Sequence, residues 1–460
     1  MMIARRNLHR VVFCTLVVAT VLVGGLAPAA PPESAPIGVA KVDITPDTPV
    51  RMYGYASRKT ESEGVAGPLS AKALAIGGDE APGPAVLLAV DNGSVPRELR
   101  DKVYERVNQK TPIAPERFVL CNAHCHSGPN LKGMDSFEGE ELQHMERYAG
   151  QLTDRLVQVV EQALKNRQPA SLAIARGSVP FAANRRVLTD GKWTGFGAVP
   201  DAPADHELVV MKVTGSDGKV LALVSNYACH NTTLRGNFKQ IHGDWAGSAQ
   251  KFIEADQPGT TALITIGCGA DSDPCPHGTV ELCDQHGREL ADEVKRLLAG
   301  AWTPIPASIA AKQQTLVVPW QKDVDMEVAR KAAKQSWAIQ GLLEKLDAGS
   351  KLPEPPTFQI NTWTFGDDLA MVFLTHEMVV DYVIRLKQEF DPARLWVTAY
   401  TNDVSSYVAS PRIIEEGGYE ARNSLSSKLT LGQPEKLDPP MMERIVGAVK
   451  EILPAAFRAK

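Results

Sequence analysis

The sequence predicts an α/β fold, with mixed sheets, flanking helices and a metal site at the C-terminal ends of strands. Three observations carry that prediction. Short apolar runs rich in Val, Ile and Leu alternate with stretches of helical periodicity. The polar clusters capable of chemistry each follow directly on such a run, where open α/β sheets bind their ligands. No Gly/Ser linker, charge block or internal repeat interrupts the 460 residues.

At the N-terminus, Arg5, Arg6 and Arg10 precede an apolar run from Val11 to Leu26 and the small residues Ala27-Pro28-Ala29-Ala30. Charged, greasy and small segments in that order are the parts of an export signal. The run is shorter than the roughly 18–20 apolar residues of a spanning helix. Residues 1–30 therefore read as a signal peptide, and the product is expected to be exported, periplasmic or extracellular, without a stable membrane span. Residues 31–460 read as one large domain, with room for a subdomain over 304–356 that ends at Pro353-Glu354-Pro355-Pro356.

Strands are expected at Ala85 to Val90, Arg117 to Leu120, Leu172 to Val179, Leu208 to Val213, Val220 to Val224, Ala262 to Ile266, Leu369 to Leu374 and Leu395 to Tyr400. Between them, Leu142, Met145, Ala149, Leu152, Leu156, Val159 and Ala163 step by three and four along one long amphipathic helix. Further helices are expected at Leu290 to Leu298, Val328 to Leu346, Met378 to Leu386 and Met441 to Phe457. The net charge of −5, with both signs scattered, leaves no basic stripe for nucleic acid or anionic lipid.

Cys14 lies in the signal segment; the others are Cys121, Cys125, Cys229, Cys268, Cys275 and Cys283. In an exported chain that even number reads first as disulfides of undetermined pairing. Several of these thiols neighbour histidines, so they also read as packing in the walls of a site.

The stretch Cys121-Asn122-Ala123-His124-Cys125-His126-Ser127-Gly128-Pro129 follows one strand. Residues i and i+2 of an extended segment share a face, so His124 and His126 reach one cleft while Cys125 points into the wall. A metal site, a disulfide-held corner and an ordinary His-rich turn all fit it. Cys229-His230-Asn231-Thr232 follows a second strand, Asp271-Ser272-Asp273-Pro274 a third, and Thr375-His376-Glu377 a fourth. A catalytic zinc takes three protein ligands and keeps one position open, a count that His124, His230 and Glu377 fit. Taken singly, His230 also reads as a core histidine and Glu377 as a carboxylate at a helix N-terminus. No G-x-S-x-G turn surrounds Ser272, which argues against a serine hydrolase of that type.

The order of these motifs resembles the catalytic domain of the neutral, non-lysosomal ceramidases. The resemblance runs through AHCHSGP, Asn184-Arg185, His230-Asn231-Thr232, His242-Gly243-Asp244-Trp245, the Asp271–Pro274 turn, His376-Glu377, Tyr407 and Tyr419, and Ile37 to Pro46 is similar to that family's opening strand. It implies one Zn2+ held by His124, His230, Glu377 and Tyr407. It implies His126 and Tyr419 facing substrate, and Arg185, or Arg186 beside it, lining the site. Asp273 stands where the family carries its proposed serine nucleophile, with Ser272 one step away, and His242 replaces a small hydroxyl residue. The family's C-terminal immunoglobulin-like domain is not expected in this chain.

The expected activity is therefore hydrolysis of an N-acyl amide, ceramide or a related lipid amide, by metal-activated water. In that scheme Tyr419 and Arg185 stabilise the oxyanion, His126 protonates the leaving amine, and Asp271 and Asp273 orient the site. Asp244 is expected to fix a histidine from behind. The alternative is a degenerate member that binds an extracellular carbohydrate or lipid head group without turnover.

Overall fold

A computed structural model describes residues 34–459, which belong to one compact unit; the signal-peptide segment and Cys14 lie outside the described residues. The α/β class expected from the sequence is the observed one. Thr261–Ile266, Val220–Tyr227, Glu207–Gly215, Gln168–Ser178, Ala35–Asp43, Ser70–Ile76, Ala85–Val90 and Phe118–Asn122 lie side by side in that order, and Thr303–Ile305 pairs with Gln168–Ser178. This mixed sheet curls on itself, since Lys72 Nζ on one strand donates to Ala262 O of the far edge strand at 2.7 Å. A second sheet runs Ala310–Val317, Thr357–Phe365, Leu369–Leu374 and Leu395–Thr398.

Alternation along the strands decides how the layers stack. Leu74, Val119, Met211 and Leu263 of the first sheet join Trp363, Phe373 and Trp396 of the second in one buried cluster, so the two sheets face each other. On the opposite side of the first sheet, Ala71, Ala73, Leu88 and Leu120 meet Met145, Leu152, Leu156, Val159 and Val160 of the helix Gly139–Lys165. Most of the expected stripe is this buried face. Gly38 lets the helix sit close, because a Cβ there would lie 2.1 Å from Ala163 O. On the far side of the second sheet, Ile360, Val372 and Leu374 pack with Val383, Leu386, Ile445 and Val449 from the helices Val380–Glu389 and Met441–Ile452.

Local chemistry corrects several expected boundaries. The expected helix from Val328 to Leu346 is two helices, Met326–Ala333 and Trp337–Asp347. Ser336 divides them: its buried hydroxyl accepts from Ile339 N at 3.3 Å and donates to Arg422 O at 2.8 Å, a capping role that favours a helix start over helix interior. The helix expected from Met378 begins at Val380, because Glu377–Met378 pairs in parallel with Tyr407–Val408. Met441–Ile452 stops before Pro454 rather than reaching Phe457.

The disulfide reading of the cysteines is also corrected. All six thiols among the described residues are free. They act as wall material: Cys125 Sγ donates to His242 O at 3.0 Å, and burial pushes the Cys121, Cys229 and Cys268 thiols well up, which suppresses the reactive thiolate.

Candidate metal and catalytic site

Four strand ends deliver the site. Phe118–Asn122 leads to His124, Val220–Tyr227 to His230, Thr261–Ile266 to the turn at Asp271, and Leu369–Leu374 to Glu377. The connecting backbone is strained where it passes the site. His124, Asp244, His376, Tyr400 and Asn402 have φ of 52°, 54°, 70°, 56° and 55°, the left-handed region that costs non-glycine residues about 1–3 kcal/mol each.

His124 Nδ1 lies 3.0 Å from Gly93 O, and His230 Nδ1 lies 2.8 Å from Gly269 O. A carbonyl only accepts, so both rings carry their proton on Nδ1 and turn the Nε2 lone pair inward. Those Nε2 atoms stand 3.2 and 3.4 Å from the same oxygen, Glu377 Oε2. His126 Nε2 comes within 3.2 Å of His124 Nε2, and ligand atoms of the three imidazoles lie within 4.8 Å of one another. His230 Nε2 and Glu377 Oε2 are buried and have no hydrogen-bond partner. Lone pairs aimed at a carboxylate oxygen repel unless a cation lies among them, so these donors fit a divalent metal ion. Burial, then the neighbouring imidazoles, push His126 well down, so it is neutral at pH 7.

Glu377 pairs opposite Tyr407, which brings the tyrosine to the same corner. Its hydroxyl accepts from Arg185 Nη2 at 3.3 Å; burial, and then the charge of Glu377, push this phenol well up. Tyr419 packs its ring on Tyr407 at 5.5 Å and on Phe196 at 5.4 Å. A cavity of about 520 Å3 opens over the site, lined among others by His126, Arg185, Phe196, Asp273, Tyr407 and Tyr419.

The structure separates the two arginines. Arg185 faces the cavity and pairs with Asp273 at 3.1 Å and Glu420 at 3.0 Å. Arg186 turns to Glu416, Glu420 and Gly417 O. Burial would raise the Asp273 carboxyl, but the guanidinium groups of Arg185 and Arg235 hold it well below the ordinary carboxylate value, and it borders the cavity as an ion-pair acceptor. Ser272 Oγ is buried, unpartnered and outside the cavity lining. Asp271 is likewise outside it: its carboxylate accepts from Val380 N at 2.8 Å and Asn184 Nδ2 at 3.1 Å.

Burial pushes the Asp271 carboxyl up to about 6, against about 3.9 in an unfolded chain. A folded-state value that is raised gives stability present below the unfolded value and lost as pH rises through the folded one. Between pH 4 and 7, Asp271→Asn is expected to gain on the wild type by up to ~3 kcal/mol, measured as the difference in urea-unfolding free energies across that range. A constant difference over those pH values would contradict it.

Among the described residues the Asp244 carboxylate makes no hydrogen bond to a histidine. It accepts from Thr233 N, Leu234 N and Trp245 N at 2.9, 2.8 and 2.7 Å, and Trp245 Nε1 donates to His230 O at 2.8 Å. The helix Asp244–Asp256 thus clamps the loop that carries His230. His242 Nδ1 accepts from Asp244 N at 2.9 Å and takes no part in the three-histidine cluster.

Sequence reasoning missed the two carbonyls that set the tautomers, Tyr400, whose ring lies 4.5 Å from that of His124, and Glu420. Gly269 carried a signal in Gly-Cys-Gly, since a Cβ there would lie 2.6 Å from Cys229 N. Glu420 directly follows Tyr419 and Tyr400 closes an expected strand, but adjacency in sequence does not reveal the contacts they make; Gly93 lies on a segment without a motif.

Residues 36–285 match the family described as "Neutral/alkaline non-lysosomal ceramidase, N-terminal". Neutral ceramidase A of Dictyostelium discoideum is 24% identical over 248 residues, 51% of this chain and 34% of that protein. Neutral ceramidase B of the same organism is 24% identical over 270 residues, 55% and 37%. The chain thus spans about a third of the length of these curated relatives. The crystal structure of neutral ceramidase from Pseudomonas aeruginosa superposes with a TM-score of 0.66 at 17% identity, covering 93% of this chain and 76% of that one. A ceramidase complexed with C2 gives 0.68 at 17%, covering 93% and 77%. At that identity the superpositions establish a shared fold. With the family match spanning more than half of its residues, this chain belongs to the neutral/alkaline non-lysosomal ceramidase family.

Proposed function

We propose that this chain is an exported zinc-dependent amidohydrolase that cleaves the N-acyl bond of ceramide or a related lipid amide. The observation that carries the reading is the convergence of His124 and His230 Nε2 on the buried, unpartnered Glu377 Oε2 beneath a cavity. His124, His230, Glu377 and Tyr407 would hold the ion, with His126 beside them. Zinc so bound supplies Lewis acidity and lowers the pKa of water to about 7.

The chain's own groups do the rest. Neutral His126 borders the cavity and is placed to carry a proton to the amine nitrogen as the C–N bond breaks and the C–O bond forms. Arg185 and the Tyr419 hydroxyl offer donors to the carbonyl oxygen as its charge develops. Asp273 and Glu420 hold Arg185 in place, and Phe196 supplies an apolar wall for an acyl chain. Export rests on the N-terminal segment; among the described residues no helix is long and apolar enough to cross a membrane.

Purified protein is expected to contain about one zinc per chain and to hydrolyse N-acyl amides with loss of activity on chelation. Ser272→Ala is expected to keep activity within about threefold, less than 1 kcal/mol of barrier, because Ser272 Oγ does not line the cavity. An inactive Ser272→Ala with its zinc and fold intact would return the nucleophile to serine. Zinc without turnover of any amide would favour the binding-only alternative.

A further inference from the structure

The cavity over the metal centre has two chemically unlike walls. Ala183, Phe196, Gly197 and Ala198, from the hairpin Ala182–Thr189 with Lys192–Val199, form an apolar one. Thr232 and Arg235, on the loop after His230, form a polar one with Asp273. Tyr55 joins this polar wall to the metal centre: its ring packs edge-on against His126 at 5.2 Å, and its hydroxyl donates to Leu234 O, next to Arg235, at 3.0 Å. Hydrolysis engages His126, Arg185 and Tyr419 and leaves Arg235 without a role.

Arg235 is the cavity-side end of a chain of alternating charges. Arg186 pairs with Glu416 at 3.1 Å and with Glu420, which also receives Arg185 at 3.0 Å. Asp273 then takes Arg185 at 3.1 Å and Arg235 at 2.9 Å. Arg186 and Arg185 therefore each lie between two carboxylates. Among the described residues Arg235 forms an ion pair with Asp273 alone, through Nη1, and its Nε is buried without a hydrogen-bond partner. A guanidinium presents its N–H donors in a planar fork that matches a carboxylate, so this single pair leaves donors to spare. The cavity lining repeats the imbalance: histidines aside, its charged side chains are two guanidinium groups and one carboxylate.

We propose that Arg235 is a specificity-determining residue that receives a substrate carboxylate, and that the preferred substrates are N-acyl amides with a carboxylate on the amine side, as in N-acyl amino acids. This rests on the amidohydrolase reading and narrows its substrate class. With the acyl chain along Phe196, the amine portion of the amide is left to the wall of Thr232 and Arg235. Charge-assisted hydrogen bonds from a guanidinium to a carboxylate are roughly twice as strong as neutral ones, which favours the carboxylate over an uncharged head group.

The test uses the full chain as purified, with its metal, in a turnover arm and a binding arm. In turnover, read as decanoate released, kcat/KM for N-decanoylglycine is expected to exceed that for the neutral N-decanoylglycinamide by at least about tenfold, with the difference in KM. In Arg235→Gln the ratio is expected to fall to within about twofold. Arg235→Lys keeps the charge but loses the fork, and is expected to retain a ratio of about threefold or more. In the binding arm, calorimetry with N-decylsulfonylglycine and its glycinamide counterpart, whose sulfonamides replace the scissile amide, is expected to give the same order and the same loss in Arg235→Gln. A carboxylate preference of equal size in wild type and Arg235→Gln would assign it to the metal or Arg185 and overturn the proposal. So would a wild type that does not distinguish the acid from the carboxamide, whatever the variants do. Failure of every amide to turn over would sink the amidohydrolase reading, while the sulfonamide pair still decides the role of Arg235.

Discussion

His124→Ala is expected to reduce bound zinc from about one per chain to a small fraction, and amide hydrolysis by at least about 1000-fold. The ring contributes the Nε2 nearest to Glu377 Oε2, at 3.2 Å, and its Nδ1 is already committed to Gly93 O. A Lewis acid is worth several kcal/mol at the reacting carbonyl, and each 1.36 kcal/mol is tenfold in rate, which sets that lower bound. Glu377→Gln retains the shape but removes the negative charge, so it is expected to lose metal as well. Elemental analysis with parallel kinetics checks both variants; near-normal zinc and rate in His124→Ala would remove this residue from the centre.

Glu420→Ala is expected to destabilise the fold by about 3–5 kcal/mol in urea unfolding, the usual cost of breaking a buried charge pair from one side. Glu420 is completely buried and receives Arg185 Nε at 3.0 Å together with Arg186 Nη1. Its loss leaves two guanidinium groups short of a carboxylate in a dry corner. Because Arg185 also donates to Tyr407, activity is expected to fall together with stability, whereas Glu420→Gln, which can still accept, should cost less of both. Equal unfolding free energies for wild type and Glu420→Ala would show that Asp273 and Glu416 hold the arginines unaided.

The strands were legible wherever the apolar run was continuous. Ala85–Val90 and Leu369–Leu374 are buried at every position, so their sequence has to be wholly apolar. The hairpin Ala182–Thr189 with Lys192–Val199 was not expected; its outer strand is exposed or half-exposed throughout, which leaves no hydrophobic pattern to read. The break at Ser336 was hidden for a different reason. Helical periodicity continues across it, and its donation to Arg422 O depends on a residue far along the chain.

At the site, residue type and position after a strand made His124, His126, His230 and Glu377 candidates, because metal-binding chemistry is confined to few side chains, and their nearness to one another came only with the fold. The choice between Arg185 and Arg186 was beyond any reading of adjacent letters. Successive residues of a strand face opposite ways, and only the packing of Glu416 and Glu420 decided which side held the cavity.

By itself, then, the sequence determined the alternation of buried runs and the chemical identity of the donors, since both are properties of local pattern. The tertiary structure alone decided the histidine tautomers, through Gly93 O and Gly269 O, and the retirement of Asp271 and Ser272 from the cavity wall. These are matters of distance between segments remote in sequence, and a distance of that kind exists only once the chain has folded.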